Sequence, residues 1–264
     1  MIVWLNGALL PVDEACIAPS DRGFTLGDGL FETMRAEAGT VLRRDRHLAR
    51  LRSGAAVLGI PVPLDDAGLA GALTAVLTAN DLAQAPAAVL RLELTRGPAP
   101  GGLAPPAEPS PTLLVTTRAA PAAAPAPVRL VTARGTRRNE HSPLSRIKHL
   151  GYGDMILAHR EASGSGADDA IVLNTAGHVA ETTISNVFLE VDGAWVTPPV
   201  TDGALPGTRR AALLDAGVAA EATVTLAMLA RARRAVLSNA NGLRPVASID
   251  GRCLSLEEVP APWR

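Results

Sequence analysis

The segment 119–127, Ala-Ala-Pro-Ala-Ala-Ala-Pro-Ala-Pro, constrains this chain more than any other stretch. Its three prolines remove backbone donors and fix φ, so it fits neither a helix interior nor a central strand. It predicts a semi-rigid extended linker over 118–127. The chain then divides into a small α+β domain at 1–117 and a larger mixed domain with barrel-like strands at 128–264. With 264 residues, there is ample length for two cores.

Before the linker the patterns are local. Residues 2–5 and 8–12 predict a hairpin turning at Asn6-Gly7, and the glycines of 23–29 predict a turn into a strand ending near Ala38. Leu48, Leu51, Ala55 and Leu58 fall on one face of a helix over 44–58. Asp65 or Asp66 caps a second helix, which uses Leu69, Leu73, Val76 and Leu77 and stops at Asn80. Residues 89–95 alternate Leu90, Leu92 and Leu94 with Arg91, Glu93 and Thr95, as a half-buried strand does, and 112–117 form another. After the linker, strands are expected at 128–133, 170–173 and 235–238, and a hairpin at 187–191 and 194–197. Helices are expected over 209–216 and just after a capping Thr225.

Lys148 is the sole lysine in the chain. Tyr152, Met155, Ile156 and His159 follow at helical spacing, so a helix is expected to open at Lys148 and to end at Ser163-Gly164-Ser165-Gly166. A helix N-terminus disfavours the ammonium ion, and a drier site there favours the neutral amine that forms a Schiff base with a carbonyl.

Several functions are disfavoured. A net charge of −1 with both signs dispersed gives no basic footprint for nucleic acid. No apolar run reaches the ~18 residues of a membrane span, and MIVWLNGALL lacks the basic start of a signal peptide. Cys16 and Cys253 have no metal or redox spacing and suit a reducing cytoplasm. His47, His141, His149, His159 and His178 have no metal-ligand spacing, so no metal is expected. Gly27-x-Gly29 lacks the third glycine of a dinucleotide fingerprint, and no G-x-S-x-G elbow or P-loop occurs.

Lys148, then E-T-T-I-S-N from Glu181, then L-P-G-T-R-R from Leu205, together resemble the fold-type IV pyridoxal phosphate enzymes. This is the class IV aminotransferase family, with 4-amino-4-deoxychorismate lyase among its members. The resemblance runs from the first residues to about Val246 and implies a D-amino-acid-aminotransferase-like α/β fold, pyridoxal 5′-phosphate as cofactor and a homodimer. Lys148 matches the Schiff-base lysine. Glu181 matches the acid that keeps the pyridine nitrogen protonated, so that the ring accepts electrons from the substrate. Gly207, Thr208 and Arg209 match the phosphate loop that opens a helix. Ala240 and Asn241 resemble the second phosphate loop, Ala240 with only its backbone to offer. Arg50 matches an arginine that reaches the phosphate from the smaller domain, Tyr152 approaches the 3-hydroxyl side, and Asn186 closes the E-T-T-I-S-N run.

On a small-molecule amino substrate the resemblance favours the lyase reaction, which eliminates pyruvate and leaves 4-aminobenzoate, with an aminotransferase of D-amino-acid or branched-chain type as the alternative. The segments D-R-G, G-D-G and F-E-T-M-R, with Thr33 among them, resemble the lyase signature, as does S-P-L-S-R-I-K before Lys148. The R-x-H with which D-amino-acid aminotransferases hold a carboxylate is missing after Thr95-Arg96-Gly97. Against that, Gly151 stands where the lyase has asparagine. Arg137 and Arg138 are candidate carboxylate clamps for either reaction. Arg91 is a third, with a structural salt bridge as its competing reading.

Overall fold

The computed structural model describes residues 1–120, 126–257 and 263, and the part of the expected linker at 121–125 lies outside them. The chain forms two compact units, Met1–Ala123 with Ile147–Gly151, and Ala124–Arg146 with Tyr152–Arg264. The short stretch around Lys148 thus belongs with the N-terminal unit although most of its neighbours in sequence do not.

The first unit contains β1 (Ile2–Leu5), β2 (Ala8–Pro11), α1 (Arg22–Leu26), β3 (Gly29–Glu37), β4 (Thr40–Val41), α2 (Arg44–Leu58), α3 (Asp66–Ala79), β5 (Ala88–Thr95) and β6 (Thr112–Ala119). Its sheet runs β2-β1-β6-β5-β3-β4 and is antiparallel throughout. Asn6 and Gly7 both take positive φ, as a type I′ hairpin turn requires. The Asp65 side chain accepts from the Gly68 amide and caps α3, a contact typically worth ~1 kcal/mol. Leu90, Leu92 and Leu94 point to one face of β5 and are fully buried against Leu48, Leu51, Leu69 and Leu73 of the two long helices. Each such side chain contributes roughly 1.5–3 kcal/mol through burial. The expected turn at 23–29 instead contains α1, capped by Asp21 through the Gly23 amide and closed by Gly27.

The second unit contains β7 (Val128–Thr132), α4 (Gly153–Gly164), β8 (Asp169–Leu173), β9 (Val179–Thr182), β10 (Asn186–Val191), β11 (Ala194–Thr197), α5 (Thr208–Asp215), β12 (Ala220–Glu221), α6 (Leu226–Arg231), β13 (Arg234–Asn239), β14 (Gly242–Ile249) and β15 (Arg252–Cys253). Strand order is β12-β11-β10-β13-β14-β7-β8-β9, with β15 on β14. The sheet curls into a half-barrel, bringing β9 alongside β10. Parallel pairs β11/β12, β7/β14 and β7/β8 mix with antiparallel ones. The core is aliphatic, from Val128 and Leu130 through Val187 and Leu189 to Val246 and Ile249. Among the described residues, no helix is long and apolar enough to cross a membrane.

Two expectations need correction. Lys148 does not open a helix: a short 3₁₀ turn ends at Arg146, and α4 begins only at Gly153. The intervening backbone is extended because Phe31 N–H donates to the Lys148 carbonyl (2.9 Å) and Leu150 N–H to the Gly29 carbonyl (3.0 Å). Beyond the sequence-predicted strand at 235–238, β14 adds eight residues that were not foreseen. Its Pro245 lies where β13 is the only neighbour, before pairing with β7 starts at Val246, so the missing donor is tolerated there.

Candidate active site

Lys148 is held by sheet pairing. Strand β4 covers only Ala36 and Glu37 of β3, leaving the edge at Gly29–Phe31 open for residues 148–150, which bridge to it at Leu30 and His149. Ile147 joins the hydrophobic core beside this edge. The Lys148 Nζ lies 4.3 Å from the centre of the Phe31 ring. The Arg91 guanidinium lies 4.1 Å from that same centre. Arg91 also donates through Nε to Glu93 at 2.9 Å, in a part-exposed ion pair. Thr33 pairs with Arg91 across β3 and β5 and shares its face. Lys148, Phe31, Thr33 and Arg91 therefore form one group.

Arg50 lies elsewhere in the same unit. Its Nε donates to Glu32 Oε1 at 2.8 Å and its Nη2 to Oε2 at 2.6 Å, a two-point fork on a fully buried carboxylate. His47 Nδ1 is 2.6 Å from Glu32 Oε2 and carries the hydrogen, since the carboxylate only accepts. Burial pushes the Glu32 carboxyl up, but Arg50 and then His47 outweigh it and hold the group below its ordinary value. For His47, burial outweighs the pull of Glu32 and lowers the imidazole. Glu32 and His47 were not among the expected site residues. They lie 15 positions apart, and only packing of α2 on β3 brings them together.

In the second unit Glu181 sits on β9, 6 % exposed. Arg138 Nε is 3.0 Å from its Oε1, and Leu205 N–H donates to its Oε2 at 3.0 Å. Arg138 also donates to the carbonyls of Gly203 (3.2 Å) and Ser145 (2.7 Å). Its own amide donates to Leu173 O at 2.8 Å. Glu140, two residues on, fixes the same loop: burial raises its carboxyl, yet the amide and hydroxyl of Thr175 bring it down to about 2. Gly203 has φ 95°, and a Cβ there would lie 3.2 Å from the Arg138 Cβ, so this approach suits glycine. Arg137 is exposed and donates to the nearby carbonyls of residues 133, 134 and 136. The two expected clamps therefore differ: one faces solvent and the other holds Glu181.

Leu205 connects the acid to the loop opening α5. Its N–H meets Glu181, while its carbonyl accepts from Asn186 Nδ2 at 2.8 Å. Gly207 is the N-cap of α5, and a Cβ on it would fall 2.0 Å from Asn186 Oδ1, so a side chain there would fill this corner. Thr208 is buried at the first turn of α5, and Arg209 Nε reaches the Asn239 carbonyl at 3.2 Å. Ala240 and Asn241 form the two-residue turn between β13 and β14, with Asn241 N–H on Asn239 Oδ1 at 3.0 Å. Ser238 pairs with Asn186 across the strands, and its buried hydroxyl has no protein partner. Asn186, Gly207, Thr208, Arg209 and the 239–241 turn thus converge. Tyr152 is instead the N-cap of α4, packed beside Met155 and Ala158. Among the described residues, no three His, Cys, Asp or Glu side chains cluster as a metal site.

The sequence matches the profile of the family described as amino-transferase class IV over residues 29–249. The chain belongs to this family. A putative branched-chain-amino-acid aminotransferase from Methanocaldococcus jannaschii is 30% identical, over 98% of this chain and 91% of its own length. The 4-amino-4-deoxychorismate lyase structure from Pseudomonas aeruginosa is 35% identical with TM-score 0.82, covering 97% of this chain and 94% of its own. The Escherichia coli branched-chain amino acid aminotransferase structure is 25% identical with TM-score 0.91, covering 99% and 90%. As a class IV enzyme this protein depends on pyridoxal phosphate, and its residues suit that group. The group types such a cofactor needs are present: a lone lysine, a buried carboxylate, and a buried Ser238 hydroxyl without a protein partner on the strand position facing Asn186.

Proposed function

We propose that this class IV enzyme is a 4-amino-4-deoxychorismate lyase, which releases pyruvate and leaves 4-aminobenzoate. The observation carrying this reading is the segment after Thr95. The Arg96 guanidinium is committed to Asp28 and to the carbonyls of Leu58 and Gly59. Arg22 meanwhile anchors the carbonyls of residues 102, 103 and 104. The segment that follows Thr95-Arg96-Gly97 is Pro98-Ala99-Pro100-Gly101-Gly102-Leu103, so it brings no arginine or histidine to a substrate carboxylate. The S-P-L-S-R-I-K approach to Lys148 and the likeness to the P. aeruginosa lyase point the same way.

Pyridoxal phosphate, when bound, supplies an electron sink conjugated to the amine-bearing carbon. In this reading Lys148 would hold the cofactor, and its amine would serve as the base for the proton on that carbon. The C–O bond to the enolpyruvyl group then breaks, the six-membered ring becomes aromatic, and the removed proton is balanced by protonation of the departing enolpyruvate to pyruvate. Glu181 holds the proton at the pyridine nitrogen. Gly207, Thr208 and Arg209 receive the phosphate with the 239–241 turn, and Arg50 adds a cation. Asn186 orders that loop through Leu205. Thr33 and Arg91 lie on the face that carries Lys148 and orient the substrate carboxylates, with Arg137 as a further cation. Tyr152 serves the ring's 3-hydroxyl side. The enzyme acts as a homodimer, and its two exposed free cysteines, Cys16 and Cys253, suit a cytoplasmic setting.

One observation favours an aminotransferase instead. A Cβ on Gly151 would fall 3.0 Å from His149 Nδ1, which already accepts from the Gly151 amide at 3.1 Å, so the asparagine of the lyases requires a rearranged histidine here. A paired assay separates the readings. The first arm supplies 4-amino-4-deoxychorismate and measures 4-aminobenzoate and pyruvate. The second supplies D- and L-amino acids with 2-oxoglutarate or pyruvate and measures pyridoxamine phosphate. Pyruvate release without transamination supports the lyase; pyridoxamine phosphate without aminobenzoate makes this an aminotransferase.

A further inference from the structure

Arg138 stands at the junction of three segments, two of which the Leu205–Glu181 bond also joins. Its guanidinium reaches Glu181 on β9, the Gly203 carbonyl before α5, and the Ser145 carbonyl three residues before Lys148 in sequence. The contacts are well enclosed, with the Arg138 side chain 14 % exposed and that of Glu181 8 %. The loop bearing Arg138 is itself tied down by the bond to Leu173 O and by the Glu140–Thr175 contacts. A planar guanidinium with five fixed donors can bind one carboxylate and two carbonyls together, whereas an ammonium lacks that fork.

We propose that Arg138 is a positioning residue: it fixes the Glu181 carboxylate in orientation and in charge, so that the proton shared with a pyridine nitrogen stays on the nitrogen. This rests on the reading that Glu181 serves the cofactor's ring. Moving the proton from Glu181 to the ring leaves negative charge on the carboxylate and positive charge on the nitrogen. Arg138 touches the carboxylate directly, so its positive charge is nearer the negative end and favours that arrangement. Without it, a buried carboxyl group is more stable neutral, and a neutral acid leaves the ring a weaker electron sink. Arg138 thus acts through Glu181 and has no need to touch the substrate, unlike the clamp expected from sequence.

The test uses holoprotein reconstituted with pyridoxal phosphate labelled with ¹⁵N in the ring, following the nitrogen by NMR alongside steady-state kinetics. Three variants are compared with the wild type: Arg138→Gln removes charge but keeps donors, Arg138→Lys keeps charge but loses the fork, and Glu181→Gln is the reference. Circular dichroism of each apoprotein checks folding, and Arg138→Met replaces Arg138→Gln if the latter does not fold. The ring nitrogen should remain protonated in wild type and in Arg138→Lys, and should shift toward the unprotonated position in Arg138→Gln and Glu181→Gln. In Arg138→Gln, kcat should fall about 10- to 100-fold while KM changes by less than about 3-fold. A wild-type ring signal in Arg138→Gln with a shifted signal in Glu181→Gln overturns the inference alone. An unshifted signal in Glu181→Gln as well overturns the reading of Glu181 on which it rests.

Discussion

Two buried carboxylates, Glu32 in the first unit and Glu181 in the second, both meet arginine, yet their surroundings differ. Glu32 places both oxygens in the Arg50 fork and adds His47, all three side chains coming from one strand and the helix packed on it. Glu181 divides its oxygens between Arg138 on one loop and the Leu205 amide on another. The first arrangement locks a helix to a sheet. The second gathers loops that themselves reach toward Lys148 in sequence and toward the opening of α5. Burial and an arginine partner therefore do not imply the same role; what matters is which segments the charge holds together.

The contrast predicts different failures. The largest is in stability: Glu32→Gln leaves Arg50 and His47 buried without their anion and should lower unfolding free energy by about 3–5 kcal/mol in chemical denaturation. Glu181→Gln should show its main effect in catalysis, with kcat about 100-fold lower and a smaller change in the apoprotein melt. Equal losses of stability in the two variants would remove the distinction. Gly207→Ala should displace Asn186 from Leu205 and cost about 1–3 kcal/mol, seen as weaker pyridoxal phosphate binding in a fluorescence titration.

The pH dependence is the smallest and most specific of these effects. In the folded state Glu32 lies below its ordinary 4.5 and His47 below its ordinary 6.5. For both groups the unfolded chain binds more protons than the folded one, so stability rises with pH and is lost on acidification. The loss from His47 starts as pH falls through about 6.5, and that from Glu32 follows below about 4.5. Thermal melts of His47→Gln between pH 7 and 5 should therefore show a flatter slope than wild type. An unchanged slope would show that His47 contributes no linkage there.

The local elements were legible because their signals are local. Helix α2 follows from Leu48, Leu51, Ala55 and Leu58, and α3 from its Asp65 cap and the apolar face up to Leu77. The alternation in β5 placed Leu90, Leu92 and Leu94 inward without any knowledge of their partners. Long-range pairing was hidden. Tyr152, Met155, Ile156 and His159 share helical spacing, but the backbone of residues 148–150 is bonded to β3, more than a hundred positions earlier, so the helix starts five residues after Lys148. Pro245 disguised β14 because its missing donor matters only where a second neighbour is present. For the candidate site, chain order along the family motif is what pointed to Lys148, Glu181 and the 207–209 loop. The association of Glu32 with His47 and of Arg138 with Glu181 depends on packing across 15 and 43 positions, and no periodicity encodes it.

The central claim is that Lys148 is the amine that carries the cofactor, and one chemical trapping tests it directly. Holoprotein is reduced with borohydride, digested, and mapped by mass spectrometry. Because Lys148 is the sole lysine side chain, the phosphopyridoxyl mass should appear on the peptide that contains it, and Lys148→Ala should lose both the label and the visible absorbance. A label found elsewhere, or visible colour that survives Lys148→Ala, would contradict the account.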